Sequence, residues 1–548
     1  MSDGARCVNA PGRSRESTRV ARAARPRMLS TMGRVGAGLV IAWGLGVGAV
    51  GCTSEVDEPQ GEVSPGGPAA PDQTPEAPLV PEPTPPVACT MAADVPLTVE
   101  EQRLANRLPG KTAPFATELL EGTGFDVFAP AFAEELCKDG ISGAATFADA
   151  KKLVTDAGTR LWRAAVDRVQ GRRTMGTLPA GDDRMLYWAR LTMTKTLRAW
   201  QPDLALTDEQ RDALAWELER ASRGQYDITL PPGANVVRVI VSGFDPFTLG
   251  TPGGESVAIR IGNLSGASAL AYDGLEVPLP NGKTARFETY ILPVNYGPFE
   301  RGMQEDTLGP WFKAGPSRVD AAVTMSQGGG YQFTLEEWNG RFHGDFEGND
   351  DIATCKGVGG APPLPSTPGC NILPPSRWVG YESVPWKREQ PPQFVESTLP
   401  IGPMLAANTG AQVPRPPDSL ASGNNAFDVV WGYEYSYFPD CAAAATQSFS
   451  PAPSPTFPPP VAPVAPPATA CARSGSGGDY LSNESAYRAT LLRDALGLSI
   501  PVGHIHVPVM TRFLTGNDGA ITDSKFEAYR SAIVEQGRLL LEEIAKTL

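Results

Sequence analysis

The chain has 548 residues and a formal net charge of −14, with 61 acidic residues against 47 Lys and Arg. This length allows two or three domains. The acidic balance argues against nucleic acid as a partner and against electrostatic adhesion to anionic lipid.

Residues 1–51 have the pattern of a bacterial lipoprotein signal peptide. Arginines precede a Gly-rich apolar run, Val35 to Val50, which is short for a membrane span. Small residues and Cys52 follow this run directly, so we expect cleavage before Cys52 and lipidation of its thiol. The mature protein would then lie in the cell envelope, outside the cytoplasm, with the lipid as its only membrane contact. The alternatives are an ordinary signal peptide with a chance cysteine, and translation that begins at Met28.

Residues 52–88 are rich in Pro, Glu and Gly and contain almost no large apolar side chains. Such a segment cannot bury a core, so we predict a disordered, solvated tether. It would separate the lipidated cysteine from the folded part of the chain.

Six cysteines remain once Cys7 and Cys52 are assigned to the leader. An even number of cysteines in an exported protein indicates disulfide bonds, although six cysteines allow fifteen connectivities. We predict that neighbours along the chain pair with each other. No Cys-x-x-Cys motif or histidine cluster accompanies them, so a zinc site is not favoured and no metal is expected. The predicted pairs are Cys89–Cys137, Cys355–Cys370 and Cys441–Cys471.

Residues 89–235 are predicted to form a small all-α domain. Capping boxes begin at Thr98 and Thr207, each with a Glu or Gln three residues later. Between them, Ala148–Val169 and Met185–Trp200 carry apolar residues at three- and four-residue spacing, which is typical of helices. No combination of residues here indicates a chemical site, and a truncation of this region would show whether it carries the main function.

From residue 236 onward, short apolar strands alternate with helical stretches. Buried, unbroken apolar strands between helices are typical of an α/β protein with a mostly parallel sheet. We therefore predict that residues 236–548 form a three-layer α/β/α sandwich, closed by a helix that begins at a capping box at Ser524. The predicted strands are Val236–Val241, Tyr290–Val294, Asp320–Met325 and Gly503–Val509.

Two stretches interrupt this alternation, at residues 343–392 and 413–471. The first is rich in Gly and Pro and the second in Pro and Ala, and neither has the periodicity of a core element. Each contains one of the predicted cysteine pairs. We interpret both as insertions held together by disulfide bonds.

Seven short motifs follow one another outside these insertions. Each is weak alone, but in this order they resemble pyroglutamyl peptidase I, the pyrrolidone-carboxylate peptidase family of cysteine peptidases. The resemblance covers, in pieces, residues 236–513 and implies that family's single α/β/α domain. The motifs are Gly243–Phe247 (GFDPF), Asn263–Gly266 (NLSG), Leu292–Tyr296 (LPVNY), Gln327–Glu336 (QGGG, then TLE), Ser397–Ile401 (STLPI), Gly478–Asn483 (GDYLSN) and Gly503–Pro508 (GHIHVP).

The resemblance implies a set of catalytic positions. His506 falls on the catalytic histidine, Glu336 on the acid that orients it, and Ser482 on the nucleophile, where the family has cysteine. The step of 24 residues from Ser482 to His506 is close to the family's spacing. His504 is then not the implied base. Glu337 stands where the family usually has a basic residue, which puts substrate contacts near that loop in doubt.

The resemblance also implies a pocket for a pyrrolidone ring. Phe244 and Phe247 follow the first strand and would offer apolar faces to a flat, uncharged ring with one N–H and one C=O. We add Gln327, from the Gly-rich motif, to the substrate-binding residues. The alternative for both phenylalanines is a place in the core without ligand contact.

The serine at the nucleophile position leaves the chemistry open. A hydroxyl is far less nucleophilic than a thiolate and depends on an aligned base and an oxyanion hole. Ser482 is also a preferred residue type for a helix N-cap, and His506 alone would suit a hydrogen-bonded core histidine. An alternative alignment places Ser422–Ala426 on the nucleophile motif, and Val430 then stands at the position of the nucleophile.

Two functions therefore remain. The first is an exported hydrolase that removes N-terminal pyroglutamate from peptides without a metal or cofactor. The second is a catalytically silent pseudoenzyme that binds a peptide end or an envelope partner with the same fold. Serine resists the oxidation to which a reactive thiolate is exposed outside the cytoplasm, which favours retention of the site in an exported protein.

Overall fold

The structure is a computed structural model that describes residues 87–357, 362–378, 384, 386, 389–417 and 425–548. The predicted signal peptide, the lipidation site Cys52 and nearly all of the predicted tether lie outside the described residues. So do Ser422–Asn424 of the alternative alignment. In the part that is described, no helix has the length and apolar character needed to cross a membrane.

The first part of the described chain is mainly helical. The capping boxes predicted at Thr98 and Thr207 are both present, with side-chain and backbone bonds in each direction. The two short strands pair antiparallel. The elements are β1 (Cys89–Met91), α1 (Val99–Gln102), α2 (Phe115–Thr123), α3 (Phe128–Leu136), α4 (Phe147–Val169), α5 (Arg184–Ala199), β2 (Trp200–Pro202) and α6 (Asp208–Ala221).

The rest of the chain alternates strands and helices, so the predicted α/β class is confirmed. The last helix begins at Ser524 as predicted, but its N-cap is Asp523, whose carboxylate accepts from two backbone N–H groups. The elements are β3 (Val236–Phe244), α7 (Leu264–Tyr272), β4 (Glu276–Pro278), β5 (Thr284–Leu292), α8 (Tyr296–Glu300), α9 (Met303–Phe312), β6 (Ala321–Gln327), β7 (Phe333–Glu336), β8 (Trp338–Gly340), β9 (Phe394–Glu396), α10 (Ile401–Ala406), α11 (Thr409–Gln412), β10 (Val429–Gly432), β11 (Tyr435–Phe438), β12 (Gln447–Phe449), β13 (Cys471–Ser474), α12 (Leu481–Ala495), β14 (Val502–Val507) and α13 (Ser524–Lys546).

A seven-stranded sheet, in the order β10-β7-β14-β6-β3-β5-β4, forms the centre of this part. Its strands pair in parallel except for β14 with β7 and β4 with β5. Successive residues of β3 point to opposite faces: Val239 packs with α7 and α13, whereas Ile240 packs with α9 and α12. Helices therefore cover both faces of a mostly parallel sheet.

The helical part and the sheet share a core. Leu249, Ile259 and Leu270, from the α/β part, belong to the same apolar cluster as the side chains of α2 to α6. Residues 82–548 form one compact unit. A separate all-α domain is thus not confirmed, and its boundary at residue 235 stays a prediction.

The second predicted insertion is not purely peripheral. Val429–Gly432 lies inside residues 413–471 and adds a parallel edge strand, β10, to the main sheet. β11, β12 and β13 form a separate three-stranded sheet. Sequence periodicity missed these strands because each is only three or four residues long.

The three predicted cysteine pairs are confirmed. Each bond joins cysteines that are neighbours along the chain, over separations of 48, 15 and 30 residues. The second bond lies within the first insertion and the third closes the second insertion.

Candidate functional site

The motif residues meet at one edge of the sheet. β3, β6 and β14 run parallel and end at Phe244, Gln327 and Val507. Because the carboxyl ends of parallel strands lie on one edge, the side chains that follow them converge there. The register pairs Val507 with Gln327 and His506 with Ser326. This edge is the usual place for a ligand in an open α/β sheet.

Glu336 and His506 form a close ion pair. Glu336 is the last residue of β7, which runs antiparallel to β14, and its Oε1 contacts Nδ1 of His506. The carboxylate is fully buried, whereas the imidazole keeps 16% of its side-chain surface exposed. A carboxylate at Nδ1 holds a proton on that nitrogen and leaves Nε2 as the basic nitrogen of the neutral ring.

The charge state of Glu336 follows from its neighbours. Burial by itself raises the pKa of Glu336, but the adjacent His506 and His504 outweigh burial and leave that pKa below its ordinary value. The carboxylate is therefore ionised at neutral pH. Gly477 lies directly against it, and a Cβ on this residue would clash with the carboxylate oxygens.

Ser482 lies in the first turn of α12. The helix begins at Leu481, and its N-cap is Tyr480, which has extended backbone angles and makes no side-chain cap bond. Interpretation of Ser482 as an N-cap is therefore wrong, because it is the second residue of the helix. Its hydroxyl donates to the carbonyl of Gly477 at 3.3 Å. Ser482 and Glu336 thus contact the same glycine from two sides.

Ser482 also lines a cavity with all three predicted substrate-binding residues. The cavity encloses about 310 Å³ of empty space, a value that includes its opening to solvent. Its walls are mainly aromatic and aliphatic, with a few polar groups. The lining residues are Phe244, Phe247, Asn263, Val294, Ser326, Gln327, Tyr480, Leu481 and Ser482.

Glu336 and His506 are not among the residues that line the cavity. His506 pairs in register with Ser326, and its ring lies 3.3 Å from the position that a Cβ on Gly328 would take. Gly328 follows the cavity residue Gln327 and is followed by two further glycines. The glycine-rich motif therefore leaves room for the imidazole beside the cavity.

The three predicted substrate residues are placed differently. Phe244 is buried and stacks on Phe299 at 6.2 Å, so it belongs to the core as well as to the cavity wall. Phe247 is only half-buried. Gln327 is buried, and its Oε1 accepts from the backbone N–H of Leu264 at 3.4 Å. Within the described residues its Nε2 has no hydrogen-bond partner, which leaves a buried donor beside the cavity.

His504 is a structural histidine. It is fully buried in β14, and its Nδ1 and Nε2 each lie 2.7 Å from a hydroxyl of β6, those of Thr324 and Ser326. Burial lowers the pKa of His504 to about 3, so the ring is neutral at physiological pH. Its ring packs edge-on against that of His506 at 4.9 Å.

Glu336, His504 and His506 could each direct one ligand atom to a common point, since these atoms lie within 4.8 Å of one another. Both ring nitrogens of His504 are already engaged by hydroxyl groups. A metal would have to displace one of these bonds from a buried ring. The donor set therefore does not fit a resident metal ion.

A second histidine–glutamate pair, which sequence reasoning missed, fixes the same helix. Nδ1 of His343 lies 2.9 Å from Oε2 of Glu484, two residues after Ser482. Arg488 donates to Glu484 and to Glu305 of α9, and all four side chains are buried. Burial raises the pKa of Glu484, but His343 and Arg488 outweigh it and hold that pKa below normal. The four-residue spacing of Glu484 and Arg488 was the available sequence signal.

The first insertion reaches the mouth of the cavity. The hydroxyl of Tyr480 donates to the carbonyl of Glu347 at 2.8 Å, and its ring contacts Phe346 at 5.9 Å. The N–H of Gly344 donates to the carbonyl of Asp479 at 2.5 Å. The segment that follows His343 therefore forms one rim of the cavity, and Phe346 on this rim is 57% exposed.

Comparison with known proteins gives matches over most of the chain. Residues 81–219 match the family model described as PA0049 N-terminal domain, and residues 238–511 match PA0049, C-terminal domain. The uncharacterized protein PA0049 of Pseudomonas aeruginosa is 50% identical over 514 residues, which are 85% of this chain and 92% of that protein.

Among solved structures, the chain is similar to pyrrolidone carboxyl peptidase from the hyperthermophile Pyrococcus furiosus. The identity is 16% with a TM-score of 0.31, over 56% of this chain and 100% of the peptidase. For a mutant of that peptidase the identity is 17% and the TM-score 0.32, over 57% of this chain and 100% of the mutant chain. No assignment of a site residue rests on this likeness.

Proposed function

The chain belongs to the PA0049 family, and we propose that this member is a hydrolase that removes N-terminal pyroglutamate from peptides. Ser482 is the nucleophile, His506 the general base and then acid, and Glu336 the carboxylate that orients it. The observation that carries the proposal is the buried Glu336 carboxylate at Nδ1 of His506, beside a cavity that Ser482 lines.

The reaction follows from these three groups. Nε2 of His506 takes the proton of the Ser482 hydroxyl as its oxygen attacks the carbonyl carbon of the pyroglutamyl amide. The tetrahedral intermediate collapses when the imidazolium gives that proton to the leaving amine, and an ester on Ser482 remains. Water, deprotonated by the same imidazole, then attacks the ester; the imidazolium returns this proton to the Ser482 oxygen as the acyl–oxygen bond breaks, which releases pyroglutamate and restores the hydroxyl. The hydroxyl must first leave the Gly477 carbonyl, to which it donates in this structure.

The start of α12 supplies a site for the developing oxyanion. The first backbone N–H groups of a helix have no acceptor within it, and the helix dipole places partial positive charge there. Ser482 is in this first turn, so the carbonyl oxygen that it attacks lies near these donors. A 15-residue helix has the length needed for a substantial dipole.

The cavity suits a flat lactam ring. Phe244 and Phe247 offer aromatic faces, and Nε2 of Gln327 offers a buried donor to the ring carbonyl. An unpartnered buried amide costs about 1–3 kcal/mol, which a ligand carbonyl would recover. A ligand without this carbonyl would leave the Gln327 amide unpartnered, so the site favours substrates that carry it.

We also propose that the protein acts at the cell envelope, anchored by a lipid on Cys52. The support is the leader pattern in the sequence together with three disulfide bonds, which persist mainly in oxidising compartments. Labelling of cells with a radioactive fatty acid, with and without Cys52→Ala, tests the anchor. A protein that takes up no label, or takes it up equally in both forms, contradicts it.

A second candidate function is binding without hydrolysis. It is favoured by the hydroxyl at position 482, which is a weaker nucleophile than a thiolate and donates to Gly477 in this structure. In that case the same cavity holds the blocked end of a peptide or of an envelope partner.

A pyroglutamyl chromogenic amide separates the two functions. We expect turnover by the full chain, loss of turnover in Ser482→Ala, and retention in Ser485→Ala, which removes a hydroxyl from the next turn of the same helix. Turnover that appears only in Ser482→Cys identifies the silent binding protein. Absence of turnover in all forms, together with no binding of 2-pyrrolidone, rejects both functions.

A further inference from the structure

Asp245 lies at the centre of the turn that carries both cavity phenylalanines. The turn follows β3 directly, with Phe244 on one side of Asp245 and Phe247 two residues beyond it. The Asp245 carboxylate is buried. It does not line the cavity, so it contacts the ligand space only through its neighbours.

Two arginines from the helical part of the chain bind this carboxylate. Oδ2 of Asp245 accepts from Nε and Nη2 of Arg223 at 3.1 and 2.7 Å, and from Nη2 of Arg190 at 3.2 Å. Arg190 belongs to α5, and Arg223 follows α6. Both guanidinium groups are almost fully buried.

Glu219 completes the network. Its Oε1 accepts from Arg190 at 2.9 Å, and its Oε2 contacts Arg223. Burial raises the pKa of Glu219, but the two arginines outweigh burial and bring that pKa to about 2. Two cations and two anions therefore balance in a cluster in which only Glu219 is partly exposed, and an unpaired charge at the buried Asp245 would be costly.

The backbone of the turn is bound from the sheet as well. The N–H of Asp245 donates to Leu292 at 2.9 Å, and its carbonyl accepts from Asn263 at 3.1 Å. The carbonyl of Arg223 accepts from Ile291 of β5 at 2.9 Å. The same arginine thus contacts the turn with its side chain and the neighbouring strand with its backbone.

We propose that Arg190 and Arg223 are positioning residues for the ring-binding wall of the cavity and act on it through Asp245. The inference rests on the proposed function for its ligand class, a small lactam. The helical part is then a component of the site, because without its guanidinium groups the Asp245 carboxylate would turn toward water and displace both phenylalanines. Loss of contacts that the wall makes equally with the substrate and with the transition state raises KM and leaves kcat nearly unchanged.

The test compares two arginine–aspartate contacts at opposite ends of β3, one fully buried and one with a partly exposed aspartate. Arg190→Gln weakens the cluster at the carboxyl end but leaves both bonds from Arg223. Asp320→Asn, the matched control, removes the carboxylate that Arg238 contacts at 3.0 Å near the other end of the strand. Both variants are made in the full chain, and each is measured for melting temperature, for binding of 2-pyrrolidone, and for KM and kcat with the chromogenic amide.

We expect Arg190→Gln to weaken 2-pyrrolidone binding and to raise KM by about tenfold, with kcat changed less than about threefold. Asp320→Asn is expected to lower the melting temperature while leaving binding and KM unchanged. Arg190→Lys, which keeps the charge but fewer donors, should restore part of the affinity. Equal affinity in wild type and Arg190→Gln, whatever their melting temperatures, overturns the proposal.

Hydrogen exchange separates failure of this inference from failure of the proposed function. Should wild type bind no 2-pyrrolidone, the proposed function is rejected, but the turn can still be examined. Arg190→Gln must then accelerate amide exchange in residues 243–249 by about tenfold relative to Asp320→Asn. Unchanged exchange in this turn overturns the positioning role as well.

Discussion

Among the described residues there are two histidine–glutamate pairs, and their surroundings differ. His506 keeps 16% of its side chain exposed and contacts a glutamate that no guanidinium group shares among the described residues. His343 is 3% exposed, and its partner Glu484 also accepts from Arg488. The same two residue types therefore form a partly accessible pair at one place and a fully buried crosslink at the other. Access to the ring and competition for the carboxylate decide which of the two results.

Substitution of each histidine in turn should give the largest difference in kcat between the two pairs. His506→Gln is expected to lower kcat for the chromogenic amide by about 10³-fold or more, because it removes the general base. His343→Gln should leave kcat within about tenfold of wild type while lowering the melting temperature, because it disturbs only the anchoring of α12. Steady-state kinetics and thermal unfolding of both variants test this contrast.

Equal losses of kcat in the two histidine variants would contradict the division of roles. Glu336→Gln tests the Glu336–His506 pair from the other side. It keeps the shape of the side chain but removes the charge that selects the tautomer of His506. We expect a loss of about 10²- to 10⁴-fold in kcat with a KM close to that of wild type.

Arg488→Met should give the largest loss of stability. It leaves Glu484 and Glu305 without the cation that both carboxylates bind, and breaking a buried ion pair in this way costs about 3–5 kcal/mol. Lys152→Met, in an exposed pair with Asp156, is the control and should change stability by less than about 1 kcal/mol. Urea unfolding at neutral pH measures both variants, and similar midpoints would show that the buried network contributes little.

His504, which packs against His506, should make stability depend on pH. Its pKa is near 6.5 in the unfolded chain and about 3 in the folded protein, so the unfolded state takes up a proton first as the pH falls. The contribution of His504 to stability, measured as the difference between wild type and His504→Gln, should therefore be constant above about pH 6.5 and fall by about 1.4 kcal/mol per pH unit between 6.5 and 5. His504→Gln should flatten this part of the profile, and an unchanged slope in that variant would contradict the assignment.

Gln327→Met should have the smallest effect of these changes. It keeps the volume of the side chain but removes the buried donor beside the cavity, so KM should rise by about tenfold with little change in kcat. An unchanged KM would show that the ring carbonyl is bound by another group.

Much of the fold was accessible from the sequence because it depends on local patterns. Capping boxes at Thr98 and Thr207 and the apolar strands near residues 236 and 503 were read correctly. β10 was missed, because a four-residue strand within a Pro-rich stretch has too little periodicity to detect. The shared core of the helical part and the sheet was also missed, because apolar spacing does not show which partner covers a helix.

At the site, the sequence alone determined which residues are available: a glutamate at a strand end, two histidines with one residue between them, and a serine at the start of a helix. Only the tertiary structure decided how they are used. The antiparallel register of β7 and β14 pairs Glu336 with His504, and the Glu336 carboxylate contacts His506, two residues farther along β14. Hydroxyls of β6 occupy both nitrogens of His504. The clusters around Asp245 and Glu484 were likewise decided by packing. Each contains one pair four residues apart, but their other members come from distant parts of the chain, and burial makes the pairing of these charges necessary.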